Sequence, residues 1–387
     1  MLIGLDAIPL TETKTGVGHY TFELARALAV AAPGDEFELA YPSIYPPIAL
    51  DDGDEDEAVF PVNLRAARIN TGSLDRHWWS IGLPRHIRKN GIKLFHGTNY
   101  DVPLWGGRPT VLTIHDLSAY LYPETQVARR KRRARRRLPL MARVATMIIT
   151  PTESVRREVC EHLKVNPAKV VAVPEAPRHI FQPMAPAESL VVNRRLSIEG
   201  NFLLAVGTLE PRKNLITLVR AFEELVNSSD PAKDLSLVFA GKTGWLTEGL
   251  FAHVASSSLR DRIHFTGYVT DTELCALYST CVAFIYPSLY EGYGLPPLEA
   301  MSCGAPVIAS RIPSLLEVLG DETALLFPPA DAQALGHSII ELIGNQNMRR
   351  HLSLAGQKRA AEFTWGRTAR LTLKVYEQAL KRKKEMS

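Results

Sequence analysis

Short apolar runs alternate with longer stretches of helical periodicity along the chain. Leu2–Leu5 predicts a buried strand, and Thr21–Ala31 predicts a helix with one apolar face. The first half predicts further strands at 37–40, 94–95, 111–114, 147–149 and 170–173, and helices near 74–89, 125–144 and 153–164. Buried apolar strands separated by helices are typical of a parallel sheet covered on both faces.

The same alternation resumes in the second half of the chain. It predicts strands at 202–206, 235–240, 263–265, 282–285, 307–309 and 324–327, and helices near 214–227, 271–279, 297–303, 331–343 and 347–363. A Pro-rich connector, Pro174–Gly200, separates the two series and marks the predicted domain boundary. We therefore expect an α/β protein with two doubly wound domains, at 1–180 and 195–365. Ligands bind at the carboxyl ends of parallel strands, so we expect the chemistry in loops at a cleft between the domains.

Composition excludes several classes of protein. The 387 residues are 46% hydrophobic and 22% charged, which is ordinary for a globular protein and unlike a disordered or collagenous one. No run approaches the roughly 18 apolar residues of a membrane-spanning helix, and the first residues lack the basic region of a secretion signal. The four cysteines show no metal-binding or disulfide spacing, which favours reduced thiols in the cytoplasm.

Much of the positive charge is concentrated in one predicted helix. The formal net charge is +4, and the segment Arg129–Arg137 holds eight basic residues in nine positions. Such a band attracts an anionic partner or stays solvated, and the surface of an anionic membrane is the partner that we favour. Nucleic-acid binding is disfavoured because no zinc module, stacking motif or helix-turn-helix accompanies the band.

The segment Tyr290–Met301 follows a predicted strand and carries two carboxylates, Glu291 and Glu299. Two glycines allow the backbone to approach a ligand closely, and two prolines favour the start of a helix whose amides attract phosphate. Carboxylates beside a phosphate site would not bind the anion itself. They would accept hydrogen bonds from the hydroxyls of the sugars on either side of a diphosphate. Taken singly, Glu299 also fits an ordinary acid near a helix start and Glu291 a turn residue. The glycines are Gly292 and Gly294, and the prolines are Pro296 and Pro297.

Three other loops follow predicted strands and carry candidate groups. Arg212 and Lys213 precede a helix, with Asn214 as its predicted N-cap, and suit a diphosphate because they combine a planar fork with a compact charge. Gly16 and Gly18 precede the first helix but do not complete a dinucleotide fingerprint. His115 follows the strand 111–114; catalytic and purely structural roles both fit it.

At these residues the sequence resembles a retaining glycosyltransferase of family 4. The E-x7-E spacing from Glu291 to Glu299, the loop Pro211–Asn214, the strand end at Ile114–Asp116 and the loop Gly16–Tyr20 occur in the order and spacing of that family. The resemblance spans nearly the whole chain and implies the GT-B fold, two facing Rossmann-like domains with a cleft. It also implies a C-terminal helix, 366–387, packed back on the first domain. The sequence around residues 97–99 and 113–117 is similar to that of bacterial mannosyltransferases of O-antigen and surface-polysaccharide synthesis.

The resemblance also implies roles for individual residues. Arg212 and Lys213 would bind the donor diphosphate and stabilise the leaving group, while Glu291 would contact the transferred sugar. Glu299 would hold the ribose, and His115 would lie over the donor sugar near the reacting face. The remaining implied donor contacts are Gly16, Gly18, Gly292, Tyr293, Gly294 and Leu295 near sugar and phosphate, and Tyr268 and Val269 at the base.

The reaction implied by the resemblance is transfer of a hexose, with retention, from a nucleotide-diphosphate sugar. We expect the donor GDP-mannose, a lipid-linked or oligosaccharide acceptor, and an enzyme at the inner face of the cytoplasmic membrane. No cofactor and no essential metal are expected, since the D-x-D pattern occurs only in the acidic run Asp51–Glu57 and Arg212 and Lys213 would replace a metal. The alternatives are a catalytically silent module that binds a nucleotide sugar, and a nucleic-acid binder acting through Arg129–Arg137.

Overall fold

A computed structural model of the chain describes residues 1–12, 16–48, 61–72, 77–228 and 232–385; the acidic run Asp51–Glu57 lies outside them. The chain divides into two compact units. The first consists of Met1–Leu117, Arg132–Glu175 and Thr364–Ser387, and the second consists of Ser118–Lys131 and Ala176–Phe363.

The first unit is built on a parallel sheet with the strand order β3-β2-β1-β4-β5-β6-β7. Its central strand β1 pairs with β2 and β4, with Ile3 opposite both Phe37 and Leu94. The apolar runs form the middle of the sheet because both of its faces are buried. The strands are β1 Leu2–Asp6, β2 Glu36–Pro42, β3 Leu64–Ile69, β4 Leu94–Gly97, β5 Thr110–Thr113, β6 Met147–Thr150 and β7 Val170–Ala172.

The second unit is built on a parallel sheet with the strand order β10-β9-β8-β11-β12-β13. Apolar side chains on each face of this sheet form a core with the covering helices. The strands are β8 Phe202–Val206, β9 Ser236–Ala240, β10 Ile263–Gly267, β11 Ala283–Tyr286, β12 Val307–Ser310 and β13 Leu325–Phe327.

Helices follow most of these strands along the chain, as parallel pairing requires. The α-helices are α1 Gly16–Ala31, α2 Leu83–Lys89, α3 Ser118–Leu121, α4 Ala128–Val144, α5 Glu153–His162, α6 Pro186–Arg195, α7 Leu215–Ser228, α8 Glu248–Ser256, α9 Asp271–Thr280, α10 Leu295–Ser302, α11 Pro313–Leu319, α12 Ala332–Gly344, α13 Gln346–Ala360 and α14 Trp365–Glu385. A π-helical turn, Trp78–Gly82, precedes α2. The last helix, α14, belongs to the first unit and packs against α1.

The connector Pro174–Gly200 is not the Pro-rich linker that its composition predicts. It contains α6, which packs against α9 and whose Asn193 amide donates to the Thr280 hydroxyl at 2.7 Å. Phe181 and Ile198, on either side of α6, are buried in the core of the second unit. Proline is favoured at the first position of a helix, so Pro186 here marks a helix start.

The strand β3 is absent from the sequence prediction because it lies at the sheet edge. Its side chains are largely exposed, so it lacks the continuous apolar run of a central strand. Arg65 on its solvent side donates to the buried carboxylate of Glu38 on β2 at 2.9 Å.

All four cysteines are free thiols, as predicted, and Cys275, Cys281 and Cys303 are buried. Among the described residues, no helix combines the length and the apolar character needed to cross a bilayer.

Candidate active site

The loops after β8 and β11 border one crevice in the second unit. These two strands are neighbours in the sheet, yet the chain leaves β8 toward β9 and β10 on one side and leaves β11 toward β12 and β13 on the other. Ligands bind parallel sheets at such a switch point. A small hollow at this edge is lined by Gly207, Lys213, Tyr286 and Ser288, among others.

The two loops are held together by backbone contacts. After β8 the chain forms a 3-10 turn, Pro211–Lys213, and the Leu289 amide of the other loop donates to the Arg212 carbonyl at 2.9 Å. Asn214 adopts a left-handed conformation, with φ 54°, and its side chain donates to the Pro287 carbonyl at 3.1 Å. Its side-chain oxygen accepts from the Thr217 hydroxyl, so Asn214 stands at the start of α7 without capping a backbone amide by its side chain.

Arg212, Lys213 and Glu291 form one buried ionic cluster. The Arg212 guanidinium donates to Glu291 Oε2 at 2.6 Å, and the Lys213 ammonium donates to Glu291 Oε1 at 2.7 Å. Arg212 also pairs with the buried Glu210, and Lys213 also donates to the Tyr286 hydroxyl at 2.7 Å. The structure thus brings together three of the four residues predicted to be catalytic, all from the second unit.

The charges of this cluster depend on one another. Burial alone would raise the pKa of Glu291, but Arg212 and Lys213 hold it down to about 2. Burial lowers the pKa of Lys213, and the charge of Glu291 opposes that effect. Two cations and two carboxylates, Glu210 and Glu291, leave the cluster formally neutral before any ligand binds.

The glycine-rich loop turns into α10 earlier than predicted. The helix begins at Leu295 rather than at 297, after Gly294 with φ 118°, and a Cβ at Gly294 would lie 2.6 Å from the Leu315 side chain. The Ser314 hydroxyl fixes the loop by donating to the Glu291 carbonyl at 2.6 Å. Because Pro296 and Pro297 have no N–H, the first turn of α10 offers fewer amides to an anion than a typical helix start.

Glu299 belongs to a second ionic cluster, with Arg178 and Asp271. Its carboxylate lies 3.7 Å from the Nε of Arg178, which pairs with Asp271 through both terminal nitrogens. Arg178 also stacks over the Phe181 ring, with 4.7 Å to the centroid. Burial raises the pKa of Glu299 to about 7, although Arg178 opposes the shift.

The other predicted donor contacts of the second unit differ in accessibility. Tyr268 is 56% exposed and lies beside the Lys242 ammonium, whereas Val269 is buried in the core. Tyr293 is buried and its ring meets Phe363 edge-on at 6.3 Å, so it offers its backbone rather than its ring to a ligand. Gly292 is buried, and Leu295 is half-buried at the helix start.

In the first unit, His115 lies at the carboxyl end of the sheet, just beyond β5. Its Nε2 contacts the Thr98 carbonyl at 2.8 Å, its Nδ1 contacts Glu175 at 3.2 Å, and Tyr20 packs edge-on at 4.7 Å. Burial would lower the pKa of His115, but Glu175 and the carbonyl raise it. Since both partners accept hydrogen bonds, this environment favours the imidazolium.

Gly16 and Gly18 open α1, which follows β1 at the same edge of that sheet. Gly16 is the exposed first residue of the helix, whereas Gly18 is buried in its first turn. The structure therefore places Gly16, Gly18 and His115 in the first unit, and all the other predicted site residues in the second.

Sequence reasoning missed three charged partners of these sites. Glu210 lies two residues before Arg212, and Glu175 follows β7 at a strand end, so the rule that found the other candidates could have found both. Arg178 carries no such signal, because its partner Asp271 lies 93 residues away.

The cationic band Arg129–Arg137 occupies most of α4. In the first unit, Arg133 donates to the buried carboxylate of Asp101 at 3.0 Å, and Arg137 pairs with the same group. In the second unit, Arg130 lies over the Trp245 ring, 4.1 Å from its centroid. The exposed remainder consists of Arg129, Arg132, Arg135 and Arg136.

Comparisons with known proteins agree with this architecture. Residues 14–176 match the family described as Glycosyltransferase Family 4, and residues 193–359 match Glycosyl transferases group 1. The chain is 30% identical over 375 residues to the O-antigen chain mannosyltransferase B of Escherichia coli, with 95% of this chain and 97% of the relative covered.

Solved structures match over nearly the whole chain. Sucrose-phosphate synthase from Thermosynechococcus elongatus superposes with a TM-score of 0.74 at 23% identity, covering 97% of this chain and 98% of that one. HepE from Anabaena, solved in complex with UDP and glucose, gives 0.73 at 17% identity, covering 97% and 99%. These matches confirm the predicted α/β fold of the GT-B type. The sequence matches show that the chain belongs to glycosyltransferase family 4 and is related to bacterial O-antigen mannosyltransferases.

Proposed function

We propose that the chain transfers mannose from GDP-mannose, with retention of configuration, to a lipid-linked or oligosaccharide acceptor of surface-polysaccharide synthesis. The observation that carries this proposal is the convergence of Arg212, Lys213 and Glu291 at the crevice between β8 and β11. The relationship to a mannosyltransferase of O-antigen synthesis supports the choice of sugar and of acceptor class.

The ionic cluster suits the departure of a nucleoside diphosphate. Negative charge builds on the phosphates as the glycosidic bond breaks, and cations already fixed in place stabilise that charge without reorganisation. An ammonium has three N–H donors, and Lys213 uses two of them for Tyr286 and Glu291, so a third donor is available for a phosphate oxygen. Glu291 then serves two purposes: it orients both cations, and its remaining lone pairs accept from a sugar hydroxyl.

The other residues complete the donor site in this proposal. Glu299 accepts hydrogen bonds from the ribose, and Tyr268 and Val269 border the base. The backbone from Gly292 to Leu295 approaches sugar and phosphate. His115, whose ring nitrogens are both engaged, contributes positive charge near the reacting sugar rather than taking a proton.

No protein base and no metal are needed in this mechanism. The departing phosphate accepts the proton of the attacking hydroxyl on the same face of the sugar, and Arg212 and Lys213 stabilise the negative charge of the leaving group by donating hydrogen bonds to it. Turnover is therefore expected to be unchanged in excess EDTA. Complete loss of turnover that returns on addition of a divalent ion would contradict metal independence.

The donor is tested by thermal unfolding in the presence of GDP, UDP, ADP and dTDP. Binding stabilises the folded state by RT ln(1 + [L]/Kd), about 2.7 kcal/mol at a hundred times Kd, so the correct nucleotide should stand apart. Transfer is then assayed with the sugar donor of that nucleotide and with Arg212→Gln as the control. Binding without transfer or donor hydrolysis would instead favour the catalytically silent module.

We further propose that the protein attaches to the inner face of the cytoplasmic membrane through Arg129–Arg137. Six arginines of the band are exposed, and four of these, Arg129, Arg132, Arg135 and Arg136, lie outside the contacts with Asp101 and Trp245; each contributes roughly 1 kcal/mol near anionic lipid. The double variant Arg132→Gln/Arg136→Gln should therefore weaken co-sedimentation with anionic vesicles, and added salt should do the same. Co-sedimentation that depends on neither lipid charge nor salt would refute attachment through this band.

A further inference from the structure

A cavity of about 120 Å³ lies in the first unit at the edge of the sheet opposite His115. Thr110, the first residue of β5, lines it, whereas His115 follows the end of the same strand. The wall is apolar at Leu104 and Val144 and cationic at Arg108 and Lys383. Among the described residues, none that lines the cavity is a carboxylate. The donor chemistry proposed above uses nothing at this edge.

An exposed tryptophan stands at the mouth of the cavity. Trp105 is 66% exposed, although tryptophan is on average a highly buried residue. The Leu104 amide donates to the Trp79 carbonyl at 3.2 Å, which ties the backbone just before Trp105 to the turn that precedes α2. After Trp105 the chain turns through Gly106 and Gly107, which adopt positive φ angles of 141° and 74°.

The apolar surface continues onto helix α4. Val144 lines the cavity, and Leu140, which is 46% exposed, lies one helical turn before it on the same face. Two large apolar side chains, Trp105 and Leu140, thus flank a cationic hollow.

Further cations surround this edge of the sheet. The Lys169 ammonium, just before β7, donates to the Arg143 carbonyl at 2.8 Å, and Arg382 of α14 donates to the Ala168 carbonyl at 3.4 Å. Burial and the nearby Arg382 lower the pKa of Lys169 to about 8. This edge therefore combines several positive charges with exposed apolar surface.

The size and chemistry of the cavity restrict its ligand. Pockets that enclose drug-sized ligands measure about 300–1,000 Å³, so this one is too small for a nucleotide but large enough for a phosphate with a short alcohol stub. Tryptophan beside lysine and arginine is typical of protein surfaces at the membrane interface. We propose that the surface formed by Trp105, Arg108, Leu140 and Lys383 docks on an anionic phospholipid. The headgroup phosphate enters the cavity, and the indole lies among the headgroups.

This Trp105 surface adjoins the exposed arginines of Arg129–Arg137, because Arg136 lies one helical turn before Leu140 on the same face of α4, and it adds the cavity and the indole to them. The inference rests on the proposed function only in expecting a membrane as partner, and it requires neither the donor nor the transfer reaction. The test therefore measures lipid binding and transfer to a soluble acceptor as independent quantities.

The experiment uses the full chain and vesicles of phosphatidylcholine with or without phosphatidylglycerol. The double variant Arg108→Gln/Lys383→Gln is expected to bind the anionic vesicles roughly thirty-fold more weakly, since two interfacial cations are lost. Tryptophan emission should shift to the blue with anionic vesicles, and Trp105→Phe should abolish that shift. The exposed residues Arg260 and Leu354 of the second unit supply the matched controls Arg260→Gln and Leu354→Ala.

The possible outcomes separate the competing explanations. Unchanged vesicle binding by the double variant, or equal binding of the wild type to neutral vesicles, would overturn the proposal. Inorganic phosphate that alters Trp105 emission while anionic vesicles do not would show a site for soluble phosphate and would also overturn it. Loss of vesicle binding with normal transfer to a soluble acceptor supports the docking surface. A wild-type protein that binds anionic vesicles but transfers no sugar to a soluble acceptor would count against the proposed function alone.

Discussion

At the scale of single residues, the main feature of this protein is its set of buried charged side chains. Arg212 and Lys213 are both largely buried and share the carboxylate of Glu291, so each charge of the cluster is stable only while its partners are present. Removing one member of a buried ion pair destabilises a protein more than replacing both members by apolar residues, because the remaining charge stays buried without a partner.

Glu291→Gln is therefore expected to affect both stability and activity. The neutral side chain leaves Lys213 without a carboxylate and Arg212 with Glu210 alone, so the buried cluster carries one uncompensated positive charge. This should lower the free energy of unfolding by about 3 kcal/mol and abolish most of the transfer activity. Urea denaturation measures the first effect and initial rates measure the second. Glu224→Gln, at an exposed position in the interior of α7, is the control and should change neither. A fully stable Glu291→Gln would mean that the ion pairs add no net stability.

Glu299 makes stability and nucleotide binding respond oppositely to pH. Its folded-state pKa of about 7 lies above the ordinary 4.5, so the folded protein holds the proton more tightly. The contribution of Glu299 to the free energy of unfolding is therefore complete below about pH 4.5 and decreases as the pH rises toward 7. Above pH 7 it is constant, and the total loss is at most about 3 kcal/mol. Glu299→Gln should thus raise Tm at pH 8 and not at pH 4.5.

The same titration should govern ribose binding. In the proposed donor site, only the carboxylate form of Glu299 would accept hydrogen bonds from both ribose hydroxyls, so the affinity of the wild type for its nucleotide should rise with pH up to about 7 and level off above it. In Glu299→Gln that dependence should be flat and the affinity weaker throughout. Calorimetry between pH 5.5 and 8.5 measures this, and an identical pH profile in the two proteins would exclude Glu299 from the nucleotide site.

The sequence predicts most of the residues in these clusters, but it does not predict which of them pair with each other. Arg212, Lys213, Glu291 and Glu299 were found because polar residues after apolar strands meet at one edge of a parallel sheet. That rule places residues at an edge but does not assign partners. The binding of Glu299 by Arg178 depends on where the connector packs, and no local pattern reports it.

At the element scale, local pattern and tertiary packing account for different parts of the fold. The central strands were predicted within a few residues because their burial on both faces requires continuous apolar runs. The edge strand β3 and the helix α6 were missed, because one alternates exposed arginines with apolar residues and the other lies among prolines. The predicted start of α10 at residue 297 is two residues too late, because the two prolines lie inside the first turn and Gly294 is what ends the loop.

Gly294→Ala is the sharpest test of how that loop is built. A residue with φ 118° and a Cβ 2.6 Å from Leu315 is strained on both counts, so we expect a loss of about 2 kcal/mol in unfolding free energy. The helix start should shift and raise the donor KM as well. Gly336→Ala is the matched control: it lies inside α12 with open space around it, and alanine there should stabilise by about 0.5–1 kcal/mol. Equal effects of the two substitutions would refute this account of the loop.

At the scale of the whole molecule, the first unit needs both ends of the chain. Its sheet is formed by residues up to 172, but α14 returns more than 190 residues later and packs on α1. The Thr368 hydroxyl donates to the Pro174 carbonyl at 2.7 Å, and the Tyr376 hydroxyl meets His96 Nδ1 at 2.8 Å across 280 residues of sequence. Both this helix and its place against the first unit were implied only by the family resemblance, because the helices predicted from periodicity end at residue 363.

Tyr376→Phe tests whether that contact joins the end of the chain to the first unit energetically. His96 is fully buried between the hydroxyls of Tyr376 and Thr113, and burial lowers its pKa to about 3, so it stays neutral and needs a partner at each ring nitrogen. Losing one partner should reduce the free energy of unfolding by about 1–3 kcal/mol at pH 7. Because the folded pKa is depressed below 6.5, stability from His96 falls as pH drops from 6.5 toward 3, in the wild type and in the variant alike. Tyr268→Phe, which removes an exposed hydroxyl, should leave stability unchanged. If both variants unfold at the wild-type urea concentration, the Tyr376–His96 contact contributes nothing, and α14 is held to the first unit by apolar packing and by the hydrogen bond from Thr368 to Pro174.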